Sequence, residues 1–247
     1  MTDGDVLRSL ESIRDRFSPI LEGDAHSVLE KAKAEVRESK KQYDARVRQR
    51  TRGLPPLTWG FALCPSSPLR FKRAKVNRIA LSVDLIAAMQ WQSPGESPVK
   101  QDLALRVWCA ERTVAFRPFW DAERVEGSVD WVKGRVMLRL HFDLGDSEQP
   151  GPRHHVQVGG TTQDEEHCWL SPAIPVPRLA HQPMDLVLLC EIVAANFHPE
   201  FYRDVSRDAT WKGTLATSEC CLLKPYYQSC LRSLDGGQGL LGGLWCS

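Results

Sequence analysis

The 247-residue sequence predicts an α+β fold in which a central antiparallel β-sheet is packed by a buried C-terminal helix, with a helical region at the N-terminus. Three patterns lead there. Apolar residues at helical spacing open the chain, runs of strict alternation fill its middle, and the stretch after Pro183, Met184 to Phe197, carries apolar side chains on nearly every face. A helix that is apolar all round has to be enclosed by protein. It is also interrupted by Asp185, Glu191 and Asn196, and falls short of the roughly 20 apolar residues a bilayer requires. The rest of the chain must cover it.

Taken in order, Val6, Leu10, Ile13 and Phe17 form one helical stripe that Ser18-Pro19 ends. A second helix starts near Asp24, a capping side chain, and keeps phase through Leu29, Ala32, Val36, Tyr43 and Val47, with Ser39 and Lys40 weakening its middle. Gly53-Leu54-Pro55-Pro56 closes the helical signal, and the alternation of Trp59, Phe61 and Leu63 suits a short strand. The apolar run Ile79–Trp91 fits helix or strand, and the reading adopted is a strand over Ile79–Leu85. Leu103, Leu105 and Val107 alternate with Asp102, Ala104 and Arg106. Val114, Phe116 and Phe119 follow, then a strand over Arg135–Phe142 and another around His154–Val158. Short alternating runs without intervening helices favour an antiparallel sheet. Pro172, Pro175 and Pro177 keep the next stretch extended, structured segments follow near Phe201-Tyr202 and Trp211–Leu223, and Tyr227, Cys230, Leu231 and Leu234 space a last amphipathic helix. The expected division is a helical, locally basic region 1–53, an α+β body 54–235 and a glycine-rich tail 236–247.

Composition bounds function only loosely. A hydrophobic share of 42% with 26% charged residues marks a globular chain, and a formal net charge of +1 gives it no overall preference for polyanions. The distribution is uneven: residues 31–78 carry fourteen Lys/Arg against three acids. Met1–Asp5 lacks the positive flank and apolar run of a secretory signal, and eight scattered cysteines form no C-x-x-C pair, so cytoplasmic residence with reduced thiols is expected.

The candidate catalytic residues are Arg139, His141, Asp143 and His155. On a strand, Arg139, His141 and Asp143 share a face, and His155 and Gln157 could meet them from the neighbouring strand; a one-residue slip would substitute His154. Such a set could relay a proton or hold a divalent ion, but no H-E-x-x-H, nucleophile elbow, zinc spacing or phosphate-binding glycine loop is present, so neither a metal nor a cofactor is expected. Arg178 and His181, with Asp185, stand before the buried helix, where an anion could meet free backbone amides. Glu191 needs a polar partner inside so apolar a helix, with Arg106 or Arg139 as candidates. Lys40, Lys41, Arg46, Arg48, Lys72 and Arg73 are the candidate nucleic-acid contacts, able to bind phosphates without reading bases. The leading expectation is an accessory or interaction protein, with nucleic acid as a possible partner and a protein partner or second copy of the chain as another; no membrane role is expected. An enzyme using the central sheet and a purely protein-binding subunit are the alternatives.

Overall fold

The computed structural model describes residues 1–49, 57–76, 79–109, 136–145, 152–159 and 178–237. The expectations placed on Gly53-Leu54-Pro55-Pro56, the Val114–Phe119 segment, the prolines 172–177 and the tail from residue 238 onward lie outside these residues.

Helix α1, Asp3–Arg16, is fixed at its start by a reciprocal cap: Thr2 Oγ1 accepts from the Asp5 amide, and the Asp5 carboxylate accepts from the Thr2 amide. Its stripe of Val6, Leu10 and Ile13 is buried and continues into Phe17, where a short 3-10 turn containing Pro19 redirects the chain. Helix α2 runs from Ala25 to Gln49. Leu29, Ala32 and Val36 are buried, Tyr43 is half-buried, and Val47, on the same stripe, is exposed.

The sheet is antiparallel and seven-stranded: β1 Trp59–Leu63, β2 Leu69–Val76, β3 Ile79–Trp91, β4 Lys100–Cys109, β5 Val136–Leu144, β6 His154–Val158 and β7 Leu179–Ala180. Their order is β1-β3-β4-β5-β6-β7, with β2 also on β3. Strand β3 extends well past the Ile79–Leu85 expected from sequence. Its first half pairs β2, from Val76 opposite Ile79 to Leu69 opposite Leu85, and its second half pairs β1, from Leu63 opposite Ala87 to Trp59 opposite Trp91. Strand β2 was masked in the sequence by its basic residues: buried Leu69 and Phe71 alternate with exposed Arg70 and Lys72, and a bulge before Ala74 breaks the period.

After the sheet come α3, Leu186–Phe197; α4, Pro199–Val205; α5, Ala209–Ser218; a π-helical turn, Glu219–Leu223; and α6, Lys224–Asp235. Helix α3 starts three residues after Pro183, with Asp185 as its cap, and buries Leu186, Val187, Leu188, Leu189, Cys190, Val193 and Ala194. Phe17 packs 4.5 Å from the ring of Trp211 on α5 and 5.2 Å from Phe201 on α4. Buried residues of α1, α2, β1–β5, α3 and α5 belong to one hydrophobic cluster. Glu191 takes its hydrogen bond from the Trp211 indole at 2.7 Å, so an aromatic donor on α5 serves it in place of the arginine expected.

Among the described residues strand β1 pairs with β3 on one side only, and α2 covers its outer edge. Glu35 Oε2 accepts from the Ala62 amide at 3.0 Å, and Ser39 Oγ accepts from the Gly60 amide at 3.1 Å. The Ser39 hydroxyl lies within donating reach of the Gly60 and Val36 carbonyls, at 3.0 and 3.2 Å. Two side chains one helical turn apart thus stand in for a neighbouring strand, which protects an edge that could otherwise pair with another chain. Gly60 is fixed by space: a Cβ there would come 1.9 Å from the Met89 carbonyl oxygen. Ser39, which weakens the helix by propensity, fastens it to the sheet. Ser39→Ala leaves the part-buried Gly60 amide without its partner, and the expected loss is about 1–3 kcal/mol in urea unfolding, against a few tenths for an exposed serine such as Ser229.

Candidate functional site

The strand register resolves which polar residues meet. On β5 and β6, His141 stands opposite Gln157 and Asp143 opposite His155; on β4 and β5, Asp102 stands opposite Asp143 and Arg106 opposite Arg139. With a two-residue period, Arg139, His141, Asp143, His155 and Gln157 therefore share the sheet face opposite the apolar cluster. The register that would substitute His154 is not adopted; His154 lies on the cluster face.

Contacts on this face are specific. His141 Nε2 lies 2.8 Å from Asp102 Oδ1, and chiefly through that bond the imidazole holds the Asp102 carboxyl below the usual carboxylate range. The partner that orients His141 is thus Asp102 on β4, with Asp143 across the ladder. His155 is buried and its Nδ1–H donates to the Pro152 carbonyl at 3.1 Å, which fixes the tautomer. Arg139 is also buried. One row along, Asp84 accepts two bonds from Arg106, 2.6 Å from Nε and 2.8 Å from Nη2, and a third from the Trp108 indole at 3.0 Å. Burial pushes the Asp84 carboxyl up against the pull of the Arg106 guanidinium. Neither Asp84 nor its pairing was anticipated, because register across β3 and β4 decides it. The face can position a proton on His141. Arg139 and His155, however, are too enclosed to reach a ligand from solvent as they stand.

At the start of α3 the polar groups expected from sequence fall out as follows. Asp185 occupies that end, its Oδ1 accepting from the Leu188 amide at 2.9 Å; complete burial pushes its carboxyl up, opposed by that amide, the Ser218 hydroxyl and the Val187 amide. The His181 Nδ1–H donates to the Gln182 carbonyl, and the ring lies edge-on to Phe142 at 5.0 Å. Arg178 is half-buried near His155.

The basic residues fall into two groups. Arg70 pairs with Asp24 and Lys72 donates to the Pro19 carbonyl, so β2, including exposed Arg73, lies at the beginning of α2. Arg46 is 22 residues further along the helix, about 33 Å away. Lys33 is buried between Glu30 and Glu11, and Lys40 is half-buried against Asp44 and the Tyr43 ring. Lys41, Arg46 and Arg48 are exposed, and among the described residues they form no ion pair. Helix α2 runs antiparallel to β1, with Ser39 beside Gly60, so the residues beyond Ser39 pass the start of that strand; none from Lys40 to Arg48 is buried.

Among the described residues no group of three His, Cys, Asp or Glu could hold a metal ion, and no helix is long and apolar enough to cross a membrane. A cavity of about 400 Å³ lies between α1 and α5, lined in part by Asp5, Glu11, Arg16, Thr210 and Thr214, on the helical side of the sheet.

Two measurements check the electrostatics. Arg106→Met strands the Asp84 carboxylate and is expected to cost about 3–5 kcal/mol in urea unfolding, whereas Asp84→Leu/Arg106→Met regains part of that loss; a double variant no more stable than the single one contradicts the pairing. On β6, burial pushes the His154 imidazole down to about 4, with Arg153, His155 and His181 nearby acting in the same direction. Between that value and the ordinary 6.5 the unfolded chain binds a proton the folded chain refuses, so His154 makes stability fall as pH drops from 6.5 to about 4. His154→Phe is expected to flatten this part of the stability-pH curve.

Comparison of the chain with protein-family models, with curated proteins and with solved structures finds no match.

Proposed function

We infer that the protein is a cytoplasmic accessory protein that contacts nucleic-acid backbone through the far end of α2. One observation carries this reading. Up to Ser39 the helix is anchored to the core and to β1; beyond it no described residue is fully buried, Tyr43 alone of them packs against the core, and Lys41, Arg46 and Arg48 are exposed with no acidic partner among the described residues. Arg37, Lys41 and Arg48 are spaced four and seven residues apart, which aligns them along one side of the helix over about 16 Å. Guanidinium and ammonium groups at that spacing suit successive phosphates and carry no means of reading bases. Arg46 and Arg48 also suit the negative end of the helix dipole, a role that asks for one or two cations and leaves Lys41 unexplained. Lys40, Lys72 and Arg73 contribute at most to long-range attraction, since Lys40 is held by Asp44 and the β2 pair lies at the other end of the helix.

The enzymatic alternative draws on the His141–Asp102 pair. It has less support, because the arginine and second histidine that would join it are enclosed. Lys41→Gln/Arg46→Gln/Arg48→Gln is expected to weaken binding to single- or double-stranded nucleic acid at least tenfold at about 50 mM salt. It should also reduce the slope of log K against log salt by about 2–3, with an unchanged melting temperature. Equal affinity and equal slope for the parent and the triple variant overturn the reading, and so does parent binding that shows no dependence on salt.

A further inference from the structure

The far end of the molecule carries a different kind of surface. Three of the six large apolar side chains exposed among the described residues lie on α6: Tyr227, Leu231 and Leu234, between 49% and 59% exposed. Their spacing of four and three places them on one face, and Lys224, three residues before Tyr227, extends the same stripe. The side of the helix next to the stripe is attached to the body: Cys230 is buried and the Tyr226 ring stands edge-on to His154 at 5.7 Å, while Tyr227, at the border of the stripe, donates its hydroxyl to Gln182. The stripe is therefore held in place, facing outward.

We propose that this face of α6 binds a second copy of the chain, two α6 helices pairing antiparallel about a two-fold axis near Leu231. The charges at the helix ends select this occupant. Lys224 at the start and Asp235 at the end are both exposed, flank the apolar stripe, and have no ion pair among the described residues. In an antiparallel pair Leu231 meets the partner's Leu231, Tyr227 meets the partner's Leu234, and Lys224 comes within side-chain reach of the partner's Asp235, twice over. The helix dipoles are opposed in the same arrangement. A surface that complements itself under a two-fold rotation is what an isologous dimer requires.

The stripe is short. Twelve residues give a helix about 18 Å long, well below the length needed for a standard-sized interface, so the association is weak and reversible. Helix α6 attaches to the sheet at β6, and α2 covers β1 at the other edge. Dimerisation would thus leave both basic helix ends outward and give a phosphate-binding protein two attachment points.

Sedimentation equilibrium of the full chain, from about 5 to 500 μM, tests the proposal directly, since weak pairs populate on the order of 100 μM. A monomer–dimer equilibrium is expected. Leu231→Glu should weaken it at least tenfold with an unchanged circular dichroism spectrum. Lys224→Asp and Asp235→Lys should each weaken it severalfold, while the double swap, which restores opposite charges across the axis, recovers most of the loss. A chain that stays monomeric throughout the range, whether its stripe is bare or covered by its own residues 238–247, overturns the proposal. So does association indifferent to Leu231→Glu, or a double swap no better than either single one. Nucleic-acid binding measured at nanomolar protein, where the monomer dominates, is unaffected by these variants, so failure here is distinguishable from failure of the phosphate reading.

Discussion

Enclosure of helix α3 is the constraint on which the structure rests. Leu189, Cys190, Val193 and Ala194 are wholly buried, and no arrangement of one sheet alone could cover a helix apolar on so many sides. Strands β2 and β3 take one side of it, α1 another, and α4 and α5 fold back over the rest. The single polar group it carries inward, Glu191, is satisfied by the indole of Trp211, whose ring in turn packs on Phe17 at the end of α1. Both ends of the chain thus converge on a segment that neither could shield alone.

That convergence decides what remains available for recognition. Because α1 and the first half of α2 are committed to the core and to the edge of β1, α2 becomes more exposed beyond Ser39, where Tyr43 still packs on the core, and among the described residues the basic region counted in sequence shrinks to a few side chains. Lys33 sits inside an acidic clasp, Lys40 leans on Asp44, and Arg70 and Lys72 bind the turn that introduces α2. Charge on the second face of the sheet is treated differently. Asp84 and Arg106 are buried as a bidentate pair with Trp108 closing the carboxylate, an arrangement that tolerates no substitution of one partner alone.

Much of the architecture was legible because it depends on periodicity. The stripe Val6–Phe17, the alternation of Trp59, Phe61 and Leu63, the strand expected over Arg135–Phe142 and found at Val136–Leu144, the strand around His154–Val158, and the apolar helix after Pro183 all follow from which residues can face a core. What escaped depends on partners distant in sequence. Strand β2 looked like a cationic cluster, since Arg70, Lys72, Arg73 and Lys75 outnumber the apolar residues they alternate with and a bulge interrupts the period. Strand β3 looked ambiguous over Ile79–Trp91, because apolar Ile86 and Ala88 stand on its half-buried face and blur the alternation with buried Leu85, Ala87 and Met89. The shared face of Arg139, His141, Asp143 and His155 was readable from parity. That Asp102 would hold His141, and that Arg139 and His155 would be enclosed, was set by the neighbouring strands. Ser39 ran contrary to its helix propensity because its value lies in two hydrogen bonds to Gly60, invisible along the chain.

The division of α2 into an anchored half and a more exposed half is most directly tested by amide hydrogen exchange resolved along the helix. The account predicts that amides of residues 29–39 exchange as slowly as those of 187–194, near the limit set by global unfolding, while amides of 42–48 exchange orders of magnitude faster. Uniform protection along the whole of α2, or fast exchange from residue 29 onward, would contradict it.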